Sequence, residues 1–498
     1  MLKTCNDQHS ICSRLSFYRD RRKYVVPTRL VYVGNDVPYA APRLYNLTSA
    51  AQKPRAIDAA YVALSHCWGT SEMIKTTTAT LEQYTRGIPW QELPQLFQDA
   101  ITITRALGID YLWIDSLCIL QDSSTDWARE SAQIGNIYSG ALFTIGASLA
   151  SNGDESLFNR HPVRKIQQTF GGTDSLLIAR RPISHEIDAS SDCTPKLPLR
   201  KRAWCLQEEL LSPRFVHFTR DELVWVCHEG TNCECSPDTR PAALQNMWAN
   251  AYDENRHTIW EQFIENYTKR AITYQQDRLP AISSASGLFG CDAGRYAAGL
   301  WESDMPGCLL WCVEERETSA STVGGSNSAS PTWSWASTDF VVTDFLYESE
   351  DKMMAEVLEV ETYPTTSDPR GLLSGGHITL KGAVISIEEL TRHTGKEEVG
   401  IWNLPAWSHF DSSSGHGVAL KEGAHLLVIS KRLTTYHNVL RCRGLVIKRV
   451  THPTDAQEAT QTQTGSTHAW VRCGTVELAG GDLKSIDLKA CTDIVTIF

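Results

Sequence analysis

Several groups able to move protons or hold charge fall where a folded chain could gather them. His66 follows the apolar run Tyr61-Val62-Ala63-Leu64-Ser65 and precedes Gly69, and Asp115 follows a second run, Tyr111-Leu112-Trp113-Ile114. Asp122, Asp126 and Glu130 recur at i, i+4 and i+8, which places three carboxylates on one face of a helix. Arg202, Gln207 and Glu208 are embedded among apolar residues in Leu199–Leu211. A histidine at the end of a buried strand is either a base or ligand, or a group bonded to the backbone to hold a turn. The Arg202–Glu208 segment is likewise either an ion pair that locks it onto the preceding fold or a clamp for a carboxylate or phosphate. The set suits proton transfer and amide or acyl chemistry, with His66 or Glu130 as general base and Arg202 as anion clamp. Asp115 is expected to brace the site and Glu130 to do the chemistry, with Asp122 and Glu208 as further catalytic candidates. Ser65, Trp68, Arg202, Trp204 and Gln207 flank them and are the groups expected to hold a substrate.

Cysteine offers two other chemistries. Cys67 and Cys118 sit beside these groups, but neighbours on an extended strand point to opposite faces, so His66 is badly placed to activate Cys67. Both read as buried thiols. Cys5, His9 and Cys12 fall on one helical face at i, i+4 and i+7, and are the metal candidates. A fourth ligand is not evident nearby, so no metal is expected. Cys227, His228, Cys233 and Cys235 follow no common zinc spacing and read as a loop of reduced thiols.

The elements that must position these groups alternate. Tyr61–Leu64 and Tyr111–Ile114 read as buried strands, as does Ala141–Ile145. Between the first two lies a helix opened by Pro94 and closed by Gly108, with Leu96, Phe97, Ala100, Ile101, Thr104 and Leu107 on its core face. A helix over 122–138, with Trp127, Ile134, Ile137 and Tyr138 inward, joins the second to the third. Strand, helix, strand, helix, strand argues for a parallel sheet, with His66 and Asp115 on the same edge. Arg29–Val33 reads as a short strand, 150–198 as polar loop, and Arg214–Phe218 with Glu222–Cys227 as a hairpin. Residues 240–300 carry helical patterning around Trp260, Phe263, Ile264 and Tyr267. Thr318–Ser330 reads as a surface loop, Pro331–Ser337 as a return to order in a strand, and Asp455–Thr467 as a polar loop within a C-terminal antiparallel β module. The expected divisions are 1–60, 61–235, 236–345 and 346–498.

Bulk composition narrows the class. With 47 basic and 58 acidic residues the net charge is −11, which disfavours general binding of nucleic-acid backbones. The 15 cysteines are scattered without a disulfide framework. The first residues carry polar groups where a signal peptide needs an apolar stretch, and no apolar run is long enough to span a bilayer. The expectation is a soluble cytoplasmic protein with reduced thiols and no membrane partner.

The strings YVALSHCWG, YLWIDSLCILQD with DWARES and IYSGA, and RAWCLQEELLSPR closely resemble the fungal heterokaryon incompatibility (HET) domain family. The C-x3-H-x2-C near the start, DRLPAIS, GLW and PTWSWAS agree with it too, so the resemblance covers most of residues 1–340. It implies a fungal protein acting in self/non-self recognition and cell death, through protein partners or nucleotide cleavage. It also implies a TIR-like, flavodoxin-like parallel sheet. Some TIR domains cleave NAD with a glutamate, so NAD is an implied substrate and Glu130 or Glu208 the implied residue; no resident cofactor is implied. Many HET sequences read QDD-x-x-E where this one has Gln121-Asp122-Ser123, so a role resting on paired aspartates does not carry over. With no Walker-type loop and no repeat array, a stand-alone effector is expected. The alternative is a secondary-metabolism enzyme on the same scaffold, forming amide bonds from a small-molecule or aminoacyl substrate, for instance aminoacyl-tRNA-dependent cyclodipeptide formation.

Overall fold

The computed structural model describes residues 1–9, 12, 27–34, 41–47, 60–70, 73–158, 164–170, 173–179, 197–220, 222–234, 256–289, 294–313, 329–348, 350–394, 423–434, 439–449, 469–479 and 488–498. They fall into two compact units, Met1–Tyr252 and Asp253–Phe498.

In the first unit, helix α1 (Leu2–Gln8) precedes strands β1 (Arg29–Tyr32), β2 (Arg43–Asn46) and β3 (Tyr61–Ser65). Helices α2 (Leu81–Arg86) and α3 (Gln95–Ala106) lead to β4 (Tyr111–Trp113), and α4 (Asp115–Cys118), α5 (Ser124–Ser131) and α6 (Ile134–Gly140) lead to β5 (Phe143–Gly146). After β6 (Arg164–Phe170) and β7 (Thr173–Ala179) come α7 (Trp204–Leu211), β8 (Arg214–Phe218), β9 (Leu223–Cys227) and β10 (Gly230–Cys233). Eight strands make one sheet in the order β10-β9-β8-β5-β3-β4-β1-β2. The expected parallel pairing is present at its centre, where β4, β3, β5 and β8 run the same way. The sheet is nevertheless mixed: β1 and β2 extend one side antiparallel, β9 and β10 the other. The central strand β3 is buried along its whole length, as a strand covered on both faces must be.

Helix α3 matches its pattern: Pro94 is its N-cap, Gly108 takes a left-handed φ of 68° just beyond it, and Leu96, Phe97, Ala100, Ile101 and Thr104 are buried. Leu107 is exposed. The helix expected over 122–138 is instead two, interrupted at Ala132–Gln133, where Gln133 N–H bonds Glu130 O and tightens the turn. The inward stripe also differs. It runs Asp126, Glu130, Ile134, Ile137 and Tyr138, with Trp127 only half-buried. The two acids lie on the core stripe itself, at the same helical spacing as the apolar residues.

Two stretches read as loops are hairpins. β6 and β7 pair antiparallel within 150–198, a region whose polar residues hid the pattern although the sequence there holds a Gly-Gly pair, a hairpin signal. β9 and β10 pair Cys227 with Gly230 around a two-residue turn, so Cys227 and Cys233 are strand residues, not loop thiols. Cys235 lies outside the described residues.

The second unit begins with α8 (Arg256–Thr268), which buries Trp260, Phe263, Ile264 and Tyr267, and α9 (Pro280–Phe289). Short pairs β11 (Tyr296–Ala297) with β12 (Leu300–Trp301), and β13 (Trp311–Val313) with β14 (Val342–Phe345), follow. Pro331–Ser337 is not a strand: Ser334 caps a 3-10 turn by accepting from Ala336 N–H, and Trp333 and Trp335 are both fully buried around it. The remaining strands are β15 (Lys352–Met353), β16 (Glu356–Pro364), β17 (Leu373–Ser386), β18 (Ala424–Thr434), β19 (Val439–Arg449), β20 (Ala469–Ala479) and β21 (Thr492–Ile497), with α10 (Ile387–Thr394) after β17. They form the expected β module, antiparallel except for β20 with β21. The fourteen-residue β17 pairs with β21 along its middle and with β18 at its end, closing β17, β18, β19, β20 and β21 into a ring. The 318–330 and 455–467 loops lie almost wholly outside the described residues.

Candidate active site

The C-terminal edge of the parallel strands carries the groups that converge. β3 ends in Ser65, and the chain continues through His66, Cys67 and Trp68 to Gly69. Gly69 has φ 73°, and a Cβ there would lie 2.5 Å from Asn152 Cβ, so both backbone and space require glycine. Beside it, β4 ends at Trp113, and Ile114 alone separates it from Asp115, the first residue of α4. Gly146 at the end of β5 leaves no room for a side chain, since a Cβ would meet the Phe215 ring at 2.0 Å. β5 and β8 can therefore lie close.

His66 is 2% exposed and stands edge-on to Phe97. Its Nδ1 is 3.7 Å from Asp115 Oδ1, beyond hydrogen-bond reach, and neither ring nitrogen has a hydrogen-bond partner. Burial lowers its pKa to about 4, with Arg202 adding to the shift and Asp115 opposing it. His66 is thus a neutral imidazole at neutral pH. Asp115 is held by Trp68 Nε1–H at 2.8 Å and Ser116 N–H at 2.7 Å, and its side chain is 25% exposed, in keeping with a bracing role.

Helix α7 and the residues before it meet the same strand end. Ser65 Oγ–H donates to Glu208 Oε2, and the Tyr138 hydroxyl, which donates to Leu64 O, lies near Glu208. Burial raises the Glu208 pKa, while Arg202 and the Ser65 and Tyr138 hydroxyls hold it back. A buried carboxyl with a raised pKa keeps its proton to higher pH than an exposed one. Arg202 Nη1–H donates to the His66 carbonyl, so it locks the 199–211 segment onto the end of β3. Burial opposes its charge, but Cys205, Glu208 and Asp115 outweigh that and raise its pKa. Gln207 is fully buried and Trp204 half-buried on the same helix.

The structure therefore gathers Ser65, His66, Trp68, Asp115, Arg202 and Glu208. Two catalytic candidates stand elsewhere. Asp122 is exposed and accepts the Thr78 N–H and Oγ–H, fastening the 76–80 turn; those bonds lower its pKa. Glu130 is buried in an ion-pair cluster: Arg29 on β1 pairs with Asp126 and lies 3.9 Å from Glu130, and Arg129 bonds both acids. Glu130 is thus tied to Arg29 and Arg129, whereas Glu208 and Arg202 are bonded to Ser65 and to the His66 carbonyl. The Cys67 and Cys118 thiols are pushed by burial to about 11 and about 12, so neither is a thiolate at neutral pH.

Tyr138 and Phe97 belong to the site but read in the sequence only as core positions of their helices. A second line of groups at the same edge was not legible at all. Ser148 Oγ lies 2.8 Å from His217 Nδ1, and His217 Nε2 3.4 Å from Glu209, whose other partner is Arg200 at 2.5 Å. The order is that of a serine–histidine–carboxylate triad, but Ser148 and His217 are fully buried, and burial lowers the His217 pKa. This line braces α7 against β5 and β8.

Cys5, His9 and Cys12 form a separate cluster with Cys227. It lies at the opposite edge of the sheet, where β8 begins and Cys227 pairs with Arg214. No helix among the described residues is long and apolar enough to cross a membrane.

Residues 61–208 match the heterokaryon incompatibility protein (HET) family. The match opens on the first residue of β3 and closes on Glu208. No curated protein and no solved structure matches the chain.

Proposed function

From a chain that carries a HET domain over residues 61–208, we propose an effector of fungal incompatibility whose HET domain is itself catalytic. Glu208 and His66 exchange a proton with a small substrate, Arg202 sets the charge of the pocket wall, and Asp115 with Trp68 holds the rim. The observation that carries this reading is a buried imidazole with both ring nitrogens unpaired, on the residue next to Ser65, whose hydroxyl bonds a buried carboxyl with a raised pKa. Unsatisfied buried polar atoms are costly, and a site that retains them has a partner to come.

Location supports the same reading. Along the parallel run β4-β3-β5-β8 the chain order is 2-1-3-4, which begins the flavodoxin-like order 2-1-3-4-5. In that arrangement ligands sit beyond the carboxyl ends of the strands where the order reverses, here between β3 and β5. Ser65 ends β3 and His66 follows it. The TIR likeness implies NAD as substrate, and a positively charged nicotinamide ring favours the carboxylate form of Glu208, with His66 as the neutral acceptor for a proton.

Inducible expression in a fungal host tests this. Wild type arrests growth as cellular NAD falls, and Glu208→Gln and His66→Ala abolish both at equal protein level. Normal growth with unchanged NAD at confirmed expression overturns it. A new metabolite without growth arrest would point instead to the biosynthetic alternative.

A further inference from the structure

We infer that Cys5, His9, Cys12 and Cys227 form a structural zinc site that fastens the N-terminal segment to the β9–β10 hairpin. All four lie outside the residues that match the HET family. Their ligand atoms are within 4.8 Å of one another, with His9 Nδ1 3.3 Å from Cys227 Sγ and 4.0 Å from Cys12 Sγ. Around tetrahedral zinc, bonds of about 2.3 Å to sulfur and 2.0–2.1 Å to nitrogen set ligand atoms roughly 3.5–3.8 Å apart. Closing on the ion therefore asks for a contraction of only about 1 Å at the widest separation.

The local structure places each ligand. α1 puts Cys5 and His9 one turn apart, the His9 N–H bonding Cys5 O, and Cys12 follows three residues later in the sequence. Cys227 ends β9, fully buried, and its sulfur accepts the backbone N–H groups of Glu229 and Gly230 from the hairpin turn. Such N–H···S bonds are the outer-shell support of a metal thiolate.

The charges close as well. Arg214 is buried and has no carboxylate partner among the described residues. Its Nε–H points at Cys5 Sγ at 3.2 Å, with Asn6 Oδ1 and Leu142 O taking its other donors. Three thiolates, a neutral histidine, Zn²⁺ and this guanidinium sum to zero, the condition under which so much charge can be buried. Three sulfurs and one imidazole select zinc among common divalent ions, and four protein ligands leave no open position, so the role is structural.

The full chain, purified under reducing conditions from a zinc-supplemented host, is expected to hold about one zinc per chain by elemental analysis. Exchange with Co²⁺ is expected to give intense tetrahedral d–d bands and thiolate-to-cobalt charge transfer. Cys5→Ser, Cys12→Ser and Cys227→Ser each weaken zinc binding at least about ten-fold, whereas Cys442→Ser in the second unit does not. Should a serine variant fail to fold, the wild-type stoichiometry and cobalt spectrum decide alone. Wild type with all three thiols reduced that binds neither zinc nor cobalt overturns the site, as does a disulfide within the cluster in freshly isolated protein.

Discussion

Replacing His66 by Phe removes the one titrating ring at the centre of the site while keeping an edge-on partner for Phe97. His66 has a folded pKa of about 4 against an ordinary 6.5. Between these values the unfolded chain binds a proton that the folded chain refuses, so stability rises with pH through this window. The contribution is fully present above about 6.5 and is lost as the pH falls towards 4. A difference of roughly two to three pH units corresponds to about 3 kcal/mol. For a unit of this size, where 1 kcal/mol moves Tm by about 2–4 °C, most of that loss is in hand by pH 4.5. Calorimetric Tm values at pH 7 and pH 4.5 should therefore fall about 5–10 °C further for wild type than for His66→Phe. Only the difference between the two pH dependences matters, so any packing cost of the larger ring cancels. Parallel curves would mean that His66 titrates alike in both states, and the neutral-base reading would be wrong. A steeper fall in the variant would mean that Asp115 holds His66 charged in the fold.

Two other predictions separate the carboxylates. Arg29→Met leaves Asp126 and Glu130 buried with only the half-exposed Arg129 to pair them; breaking a buried pair costs about 3–5 kcal/mol. Tm should drop by about 6–20 °C, with partial recovery when Asp126→Asn and Glu130→Gln are added, and a drop under about 2 °C would refute the assignment. Glu208 has a raised folded pKa, so its contribution to stability is present below the ordinary glutamate range and is lost as pH rises through the raised value. Wild type should gain in Tm relative to Glu208→Gln as pH falls from 7 to 4. The opposite trend would show a carboxylate stabilised by Arg202 instead.

What the sequence revealed, and what it hid, follows from the range of the interactions. His66 and Asp115 were legible because each ends an apolar run, and alternating strands and helices put both ends on one edge. Glu208 was legible only as a polar group among apolar ones; its partners Ser65 and Tyr138 are 143 and 70 residues away in the chain, and no spacing rule reaches that far. The surroundings of Glu130 were hidden for the same reason. Carboxylates at i and i+4 normally mark a solvated face, and what turns these inward is Arg29, 97 residues before Asp126. Cys227 stands 218 residues from His9, so its local pattern fitted no zinc signature. Pro331–Ser337 failed differently: alternating tryptophans fit a strand, but the short-range Ser334 cap prevailed.

These long-range partners bear on what the domain is. The family match stops at Glu208, yet β8, the fourth strand of the parallel run, begins at Arg214. Arg29, which neutralises the acids on the core stripe of α5, comes from β1, 32 residues before the match opens. Residues 61–208 alone would have an unpaired edge on β5, a pairing liability, and two buried carboxylates without their principal cation, a cost of several kcal/mol by order of magnitude. The folding unit that supports the His66–Glu208 site is therefore the larger one, reaching from the N-terminal helix to the β9–β10 hairpin. The Cys5, His9, Cys12 and Cys227 cluster joins those two ends of it. On this argument the flanking segments are the second half of the scaffold, and the site at one edge depends on the clasp at the other.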